Sequence, residues 1–110
     1  MRSAYSDWLA FCREADSIVL DARIQISEAS DCYDDSRTPH RGKLKSAIIK
    51  AESRLEKLSK KMLHRREFSE ERFQTDESIL QEIEAFKKEF RQMQEELNES
   101  LLKMKQLYEQ

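Results

Sequence analysis

The sequence is poor in residues that make tight turns. Its 110 residues include one glycine (Gly42), one proline (Pro39) and one asparagine (Asn98). A β-sandwich, barrel or doubly wound sheet needs a turn roughly every eight to twelve residues, and these residue types normally provide it. The composition therefore excludes such sheets and any glycine-rich phosphate loop. It predicts an all-helical chain, rich in Glu, Lys, Arg, Leu and Ser.

Long apolar runs and paired cysteines are missing as well. The sequence contains no run of about 18 apolar residues, the length that could span a membrane. Met1–Tyr5 has no apolar signal-peptide core. In one straight helix, Cys12 and Cys32 would lie about 30 Å apart, far beyond disulfide reach. These features predict reduced thiols in a cytoplasmic protein, associated with endomembranes only through its parent protein.

A seven-residue apolar repeat occurs in three segments, with spacings that alternate between four and three residues. This period is typical of helices that supercoil around one another, because it keeps the apolar stripe facing its partner. The stripes are Trp8, Cys12, Ala15, Val19, Ala22, Ile26, Ala29 and Tyr33; Leu44, Ile48, Ala51, Leu55, Leu58 and Met62; and Ile79, Ile83, Phe86, Phe90, Met93, Leu97, Ser100, Met104 and Leu107. Further apolar residues flank the stripes and predict that each helix contacts two neighbours. They are Leu9, Phe11, Ile18, Ala47, Leu63, Leu80 and Leu101.

The boundaries between the three segments differ in clarity. The polar stretch 31–37 predicts a turn, with Thr38 as the N-cap of the second helix and Pro39 as its first residue. The later boundary lacks both glycine and proline, and Ser69 and Thr75 are its candidate caps. We predict an antiparallel, up-down-up three-helix bundle in one domain, and the alternative is a continuous helix through 67–75 that forms a rod. The predicted helices are 4–33, 39–66 and 76–109.

Charge is unevenly distributed along the chain. The net charge is −2, but residues 1–40 carry −4, residues 41–66 carry +8 and residues 67–110 carry −6. The simplest interpretation is that the basic second helix faces acidic neighbours, which selects the antiparallel register. The alternative is an outward basic face that binds an acidic protein or an anionic membrane surface. That face would comprise Lys50, Arg54, Lys57 and Lys61. Nucleic acid is disfavoured because the second helix has no stacking aromatics and its acidic neighbours repel phosphates.

Residues that could carry catalysis or bind a metal do not converge in the sequence. His40 and His64 lie at opposite ends of the second helix, and neither has a second histidine nearby. Cys12 has no histidine or basic residue at i±4 to lower its pKa. We therefore predict a protein that is not an enzyme and that needs no cofactor or metal.

The aromatic residues have two interpretations. Core and helix-junction packing is the simplest for Phe68, Phe73, Phe86 and Phe90. Alternatively, Phe68 and Phe73, which are out of phase with the repeat, contribute to a groove for a partner. Trp8 and Tyr5 either cap the open end of the bundle or dock a neighbour, and exposure of the tryptophan would favour docking.

The layout resembles the N-terminal three-helix (Habc-like) regulatory domains of syntaxin-related, Qc-type SNARE proteins. That resemblance implies a non-enzymatic domain that binds regulatory proteins, tethers or lipids, or folds back on a fusion motif. Neither a SNARE core motif with its central glutamine nor a membrane anchor is present in this sequence. The residues that carry the resemblance are Tyr5-Ser6-Asp7-Trp8, Arg37-Thr38-Pro39, Ile48, Leu55, Leu58 and Arg65-Arg66-Glu67-Phe68.

A spectrin-type repeat is the second architectural match, on length, helix number and an early tryptophan. The repeat runs to Leu107 without a terminating cap, which indicates either a segment of a longer helical protein or a helix that frays. We expect a protein-interaction module of a trafficking or cytoskeletal protein. The alternative is a structural coiled coil that self-associates.

Overall fold

The computed structural model describes residues 3–35 and 40–109, and within them the chain is helical with no strand. Four α-helices pack against one another: α1 (Ala4–Asp34), α2 (Arg41–Leu63), α3 (Glu70–Thr75) and α4 (Ile79–Tyr108), with a 3-10 helix at His64–Glu67 between α2 and α3. The molecule measures 57 × 20 × 18 Å. The all-helical prediction is therefore confirmed for the described residues.

The start of α1 follows the capping rules. Ser3 has an extended backbone, and its hydroxyl accepts a hydrogen bond from the Ser6 amide at 3.0 Å. This contact satisfies one of the amides that a helix N-terminus leaves without a partner. The predicted cap Thr38 and the adjacent Pro39 lie outside the described residues. The α2 helix begins at Arg41, after His40 in the left-handed region with φ 60°.

The junction between α2 and α4 differs from the prediction. The alternative of a continuous helix through 67–75 is wrong, because the helical backbone is interrupted at Phe68 and again at Asp76. Ser69 does act as an N-cap, since its hydroxyl accepts from the Arg72 amide at 3.4 Å. Thr75 is not one: it ends α3, where its hydroxyl donates to the Glu71 carbonyl at 2.9 Å.

The predicted helix bounds shift accordingly. The α-helix of α2 stops at Leu63 rather than at 66, because 64–67 tightens into a 3-10 turn. Likewise α4 starts at Ile79 rather than at 76, because Asp76 and Ser78 form a turn. The amide and hydroxyl of Ser78 both donate to Asp76 Oδ1, at 2.9 and 2.7 Å. These two bonds form a turn over residues 76–78, which are the residues that the predicted helix would have as its first turn.

The three apolar stripes form the buried core, as predicted. All six stripe residues of α2 are buried, and on α1 and α4 only Val19, Tyr33, Met93 and Leu107 are half-buried. Among the flanking residues, Leu101 is buried, and Phe11, Ile18 and Ala47 pack against the core. The prediction is wrong for three flanking residues, whose side chains remain exposed to solvent. Leu9, Leu63 and Leu80 are 38%, 67% and 56% exposed.

Candidate functional site

The four candidate basic residues of α2 differ in exposure and in their contacts. Two of them contact α4, where Arg54 donates to the Glu96 carbonyl at 2.6 Å and also to the hydroxyl of the buried Ser100. Lys50 and Lys57 lie on the same flank of α2 by their spacing, and both are exposed. Two of the four residues are therefore engaged within the fold, and an anion-binding surface made by all four stays a prediction.

Lys61 also faces α4. Its ammonium pairs with the Glu89 carboxylate and lies 4.5 Å from the centre of the Phe86 ring. Hydrogen bonding and charge attraction from Lys61 lower the pKa of Glu89 below its usual value. These contacts support the interpretation in which basic residues of the second helix complement acidic neighbours within the fold.

The candidate docking aromatics are part of a packed cluster. Trp8 is only 2% exposed and packs edge-to-face on Phe68 at 5.1 Å and on Phe86 at 5.3 Å. Phe68 is itself 7% exposed, because the break after the 3-10 helix turns its side chain inward. Phe73 is half-buried against Tyr5, with ring centres 5.1 Å apart. Trp8 and Phe68 therefore offer little free surface for docking, and core packing accounts for them.

An ionic network around Arg72 holds the junction, and sequence reasoning missed it. The guanidinium donates to Asp76 at 2.6 and 3.2 Å, to the Glu67 carbonyl at 2.8 Å and to Glu82. It also lies 5.6 Å from the Phe68 ring centre. Hydrogen bonds from Arg72, and to a smaller extent from Ser78, lower the pKa of the Asp76 carboxyl to about 2. The role of this network is structural, since it joins α3 to the start of α4.

A surface groove runs between α1 on one side and α2 with the 3-10 segment on the other. We call it the basic groove. It consists of two adjoining depressions of about 370 and 460 Å³, both lined by Asp16, Arg65 and Arg66. The remaining lining residues are Tyr5, Trp8, Leu9, Cys12, Arg13, Val19 and Arg23 on the α1 wall, and Glu56, Ser59, Lys60, Met62, Leu63, Phe68 and Ser69 on the facing wall.

Two contacts bridge the groove and fix the register of its walls. Arg65 Nη1 lies 2.7 Å from Asp16 Oδ1, and Arg23 Nη2 donates to Ser59 Oγ at 3.4 Å. Residue numbers rise along one wall as they fall along the other, so α1 and α2 run antiparallel. The two bridges lie seven residues apart on α1, about 10 Å at 1.5 Å per residue.

The groove carries an excess of positive charge. Five cationic side chains line it against two carboxylates. Both carboxylates are engaged, since Asp16 pairs with Arg65, and Glu56 pairs with Lys60 at 3.2 Å. Among the described residues, no carboxylate forms an ion pair with the remaining three cations. These are Arg13, Arg23 and Arg66.

The α1 wall shows a second seven-residue pattern beside the core stripe. Leu9, Arg13, Asp16, Leu20 and Arg23 alternate spacings of four and three residues, so they share one side of the helix. Leu20 is 57% exposed. This repeat is the sequence signal that could have located the groove. It mixes leucines with charges, however, and so resembles an ordinary solvated helix face.

Cys12 lies in the floor of the groove and is 8% exposed. Burial raises the pKa of its thiol, and the opposing attraction from Arg65 and Lys87 is smaller. A protonated, buried thiol is a poor nucleophile.

The described residues contain no cluster of three or more potential metal ligands. His64 does contact a carboxylate, with Nδ1 3.3 Å from Glu67 Oε1, but both side chains are mostly exposed.

None of the described helices is both long and apolar enough to cross a membrane. Comparisons with protein-family models, with known proteins and with solved structures gave no match to this chain. Function must therefore be argued from the residues and their geometry.

Proposed function

We propose that this chain is a non-enzymatic helical domain that binds another protein through the basic groove. Its core is filled by the three apolar stripes, while Leu9 and Leu63 remain exposed on opposite walls of the groove. The observation that carries the proposal is this combination of exposed leucines with three cations that form no ion pair with any carboxylate of the described residues. Apolar contacts with a charged surround are typical of protein-binding surfaces.

The architecture that fits this role is the antiparallel, up-down-up three-helix bundle with coiled-coil packing. In it, α1, α2 and α4 are the three bundle helices, and the 3-10 segment with α3 is an elaborated connection. The Arg23–Ser59 and Lys61–Glu89 contacts support this arrangement because each joins α2 to a neighbouring helix. Such a bundle presents rigid helical surfaces to a partner.

Within this class, we propose a regulatory N-terminal domain of a SNARE-type membrane-trafficking protein, acting on the cytoplasmic side. The support is the sequence resemblance, and two of its segments lie at the groove. The segment Tyr5–Trp8 contributes to one wall, and Arg65–Phe68 contributes to the other. The hundred residues that follow this chain in the parent protein would test this assignment, since a fusion motif and a membrane anchor are expected there.

Differential affinity capture tests the binding proposal. Arg13→Glu with Arg66→Glu reverses two groove cations, and Lys50→Glu with Lys57→Glu makes the same change in charge on another surface. All four side chains are exposed, so we expect circular dichroism to show that both variants fold. Proteins retained by the wild type and by the Lys50/Lys57 variant should be lost from the Arg13/Arg66 variant. Identical capture by all three proteins would refute the proposal.

The alternative proposal is a structural, spectrin-like coiled-coil segment that self-associates. The exposed apolar side chains of Ile24 on α1 and Leu102 on α4 favour it, being 47% and 58% exposed. Sedimentation velocity over a range of concentrations separates the two. The binding domain should sediment as a monomer at every concentration, whereas the structural segment should form an elongated dimer as concentration rises.

A further inference from the structure

We infer that the occupant of the basic groove is an acidic amphipathic helix of a partner protein, which lies along the groove as an additional helix. This inference rests on the proposed function and adds the chemistry of the partner. It follows from three features of the groove: its unbalanced charge, its exposed leucines and its length.

The positive charge of the groove determines that its partner is acidic. The carboxylates of the groove are already paired with Arg65 and Lys60, so a basic partner would have to displace these cations. Arg13 and Arg66 are exposed and line the same depression, and Arg23 lies further along. Carboxylates placed over these three guanidinium groups would gain charge-assisted hydrogen bonds without breaking an internal ion pair.

The leucines indicate that the partner also has an apolar stripe. Leu9 lies on the α1 wall and Leu63 on the facing wall, and the exposed Leu20 shares the side of α1 that carries Leu9, about 16 Å along the helix. A free anion or a polyanion would leave these side chains in water. An amphipathic helix would cover them with its apolar face while its acidic flanks reach the arginines.

The dimensions of the groove suit a short helix. From Leu9 to Arg23 the α1 wall rises about 21 Å, which corresponds to about four turns of a helix laid beside it.

A membrane surface is a poorer match, because the two exposed lysines Lys50 and Lys57 lie on α2 outside the groove lining.

A second copy of this chain is also a poorer match. The outer side of α4 carries Glu84, Lys88, Arg91 and Glu95 along one surface depression. Its charges balance, so it does not complement a groove with excess positive charge. A neighbouring depression on α4 is acidic, but Gln92, Glu95, Glu96 and Glu99 line it and no apolar residue does. It could meet the arginines of the groove and not its leucines, so the partner must supply both an acidic flank and an apolar stripe.

Two synthetic peptides of about 21 residues test the inference by fluorescence anisotropy. The acidic peptide carries one stripe of leucines flanked by glutamates, and the basic peptide replaces each glutamate with lysine. The acidic peptide should bind the wild type at least about tenfold more tightly than the basic one. Arg13→Glu with Arg66→Glu should weaken its binding at least about tenfold, and Lys50→Glu with Lys57→Glu by less than about twofold.

A second arm tests the apolar contact. Leu63→Ser should weaken acidic-peptide binding several-fold while leaving the salt dependence unchanged, because it removes apolar area and no charge. Leu80→Ser is the matched control, since Leu80 is a similarly exposed leucine that does not line the groove. Equal effects of the two substitutions would overturn the apolar part of the inference.

Three results would overturn the inference as a whole. One is no acidic-peptide binding up to about 1 mM, and another is equal loss of binding in both charge variants. The third is binding only to vesicles of phosphatidylcholine with phosphatidylserine, which would identify the groove as a lipid site. If differential capture succeeds and the acidic peptide fails, the groove binds a protein of other chemistry and the proposed function stands.

Discussion

Among single residues, Arg54 shows how a surface charge can be part of the fold. It lies on the basic second helix, where spacing alone groups it with Lys50, Lys57 and Lys61. Its guanidinium reaches α4, contacting the Glu96 carbonyl and the Ser100 hydroxyl. Ser100 is a polar residue of the heptad stripe and is 3% exposed, so its hydroxyl needs a partner inside the protein.

We predict that Arg54→Ala destabilises the protein by about 1–2 kcal/mol, because it removes a charged donor from a buried hydroxyl and the packing of the side-chain stem. Lys57→Ala, three residues along and exposed, should change stability by less than about 0.5 kcal/mol. Urea unfolding followed by circular dichroism measures both. Equal effects would show that the contact with α4 contributes nothing.

Cys12 provides a second prediction at this scale. Burial raises the pKa of its thiol and leaves the side chain only 8% exposed, and both effects slow its reaction with a thiol reagent. In a Cys32→Ser background, Ellman's reagent should react with Cys12 many times more slowly in the native protein than in urea. A native rate equal to that of a free thiol would mean that the groove floor opens readily.

Among the elements, the long helices and the junction differ in how far the sequence predicts them. Each apolar stripe lies within one helix, so its period is a local property and predicts which side is buried. The inward turn of Phe68 depends on the 3-10 break, and the break is held by Arg72 through residues on both sides of it. Contacts of this kind leave no periodic trace in the sequence.

The basic groove was missed for a related reason. Composition shows that the second helix is basic, but it does not show which cations are paired. Arg65 is paired across the groove with Asp16, whereas the adjacent Arg66 has no ion pair among the described residues. Distinguishing these neighbours requires the relative positions of α1 and α2, which come from tertiary packing.

The junction provides a prediction about pH. The pKa of Asp76 is lowered from 3.8 to about 2, so its carboxylate favours folding above its unfolded pKa. That contribution is lost as pH falls through about 2. The melting temperature of Asp76→Asn should therefore lie below that of the wild type by a constant amount above about pH 5, and the gap should close between about pH 4 and pH 2.

Glu77→Gln is the control for this experiment, because Glu77 is an exposed carboxylate beside Asp76. Its melting temperature should follow that of the wild type across the same range. A gap between wild type and Asp76→Asn that persisted unchanged to pH 2 would show that the interaction does not depend on the charge of Asp76.

At the scale of the whole molecule, the interruption at the junction decides the overall shape. A single helix from Arg41 to Tyr108 would extend about 100 Å at 1.5 Å per residue. The structure instead has a longest dimension of 57 Å and a Cα radius of gyration of 17.4 Å. Phe68, buried against Trp8, fixes the point where the chain reverses.

Small-angle scattering from the wild type should therefore give a maximum dimension near the compact value, with allowance for hydration, at every concentration. Phe68→Ala should cost about 3–5 kcal/mol, because it leaves a cavity beside Trp8 and Phe86. If the compact shape depends on this anchor, the variant's scattering should expand at urea concentrations where the wild type stays compact. A wild type that measured about 100 Å would mean that α2 and α4 had merged into a rod.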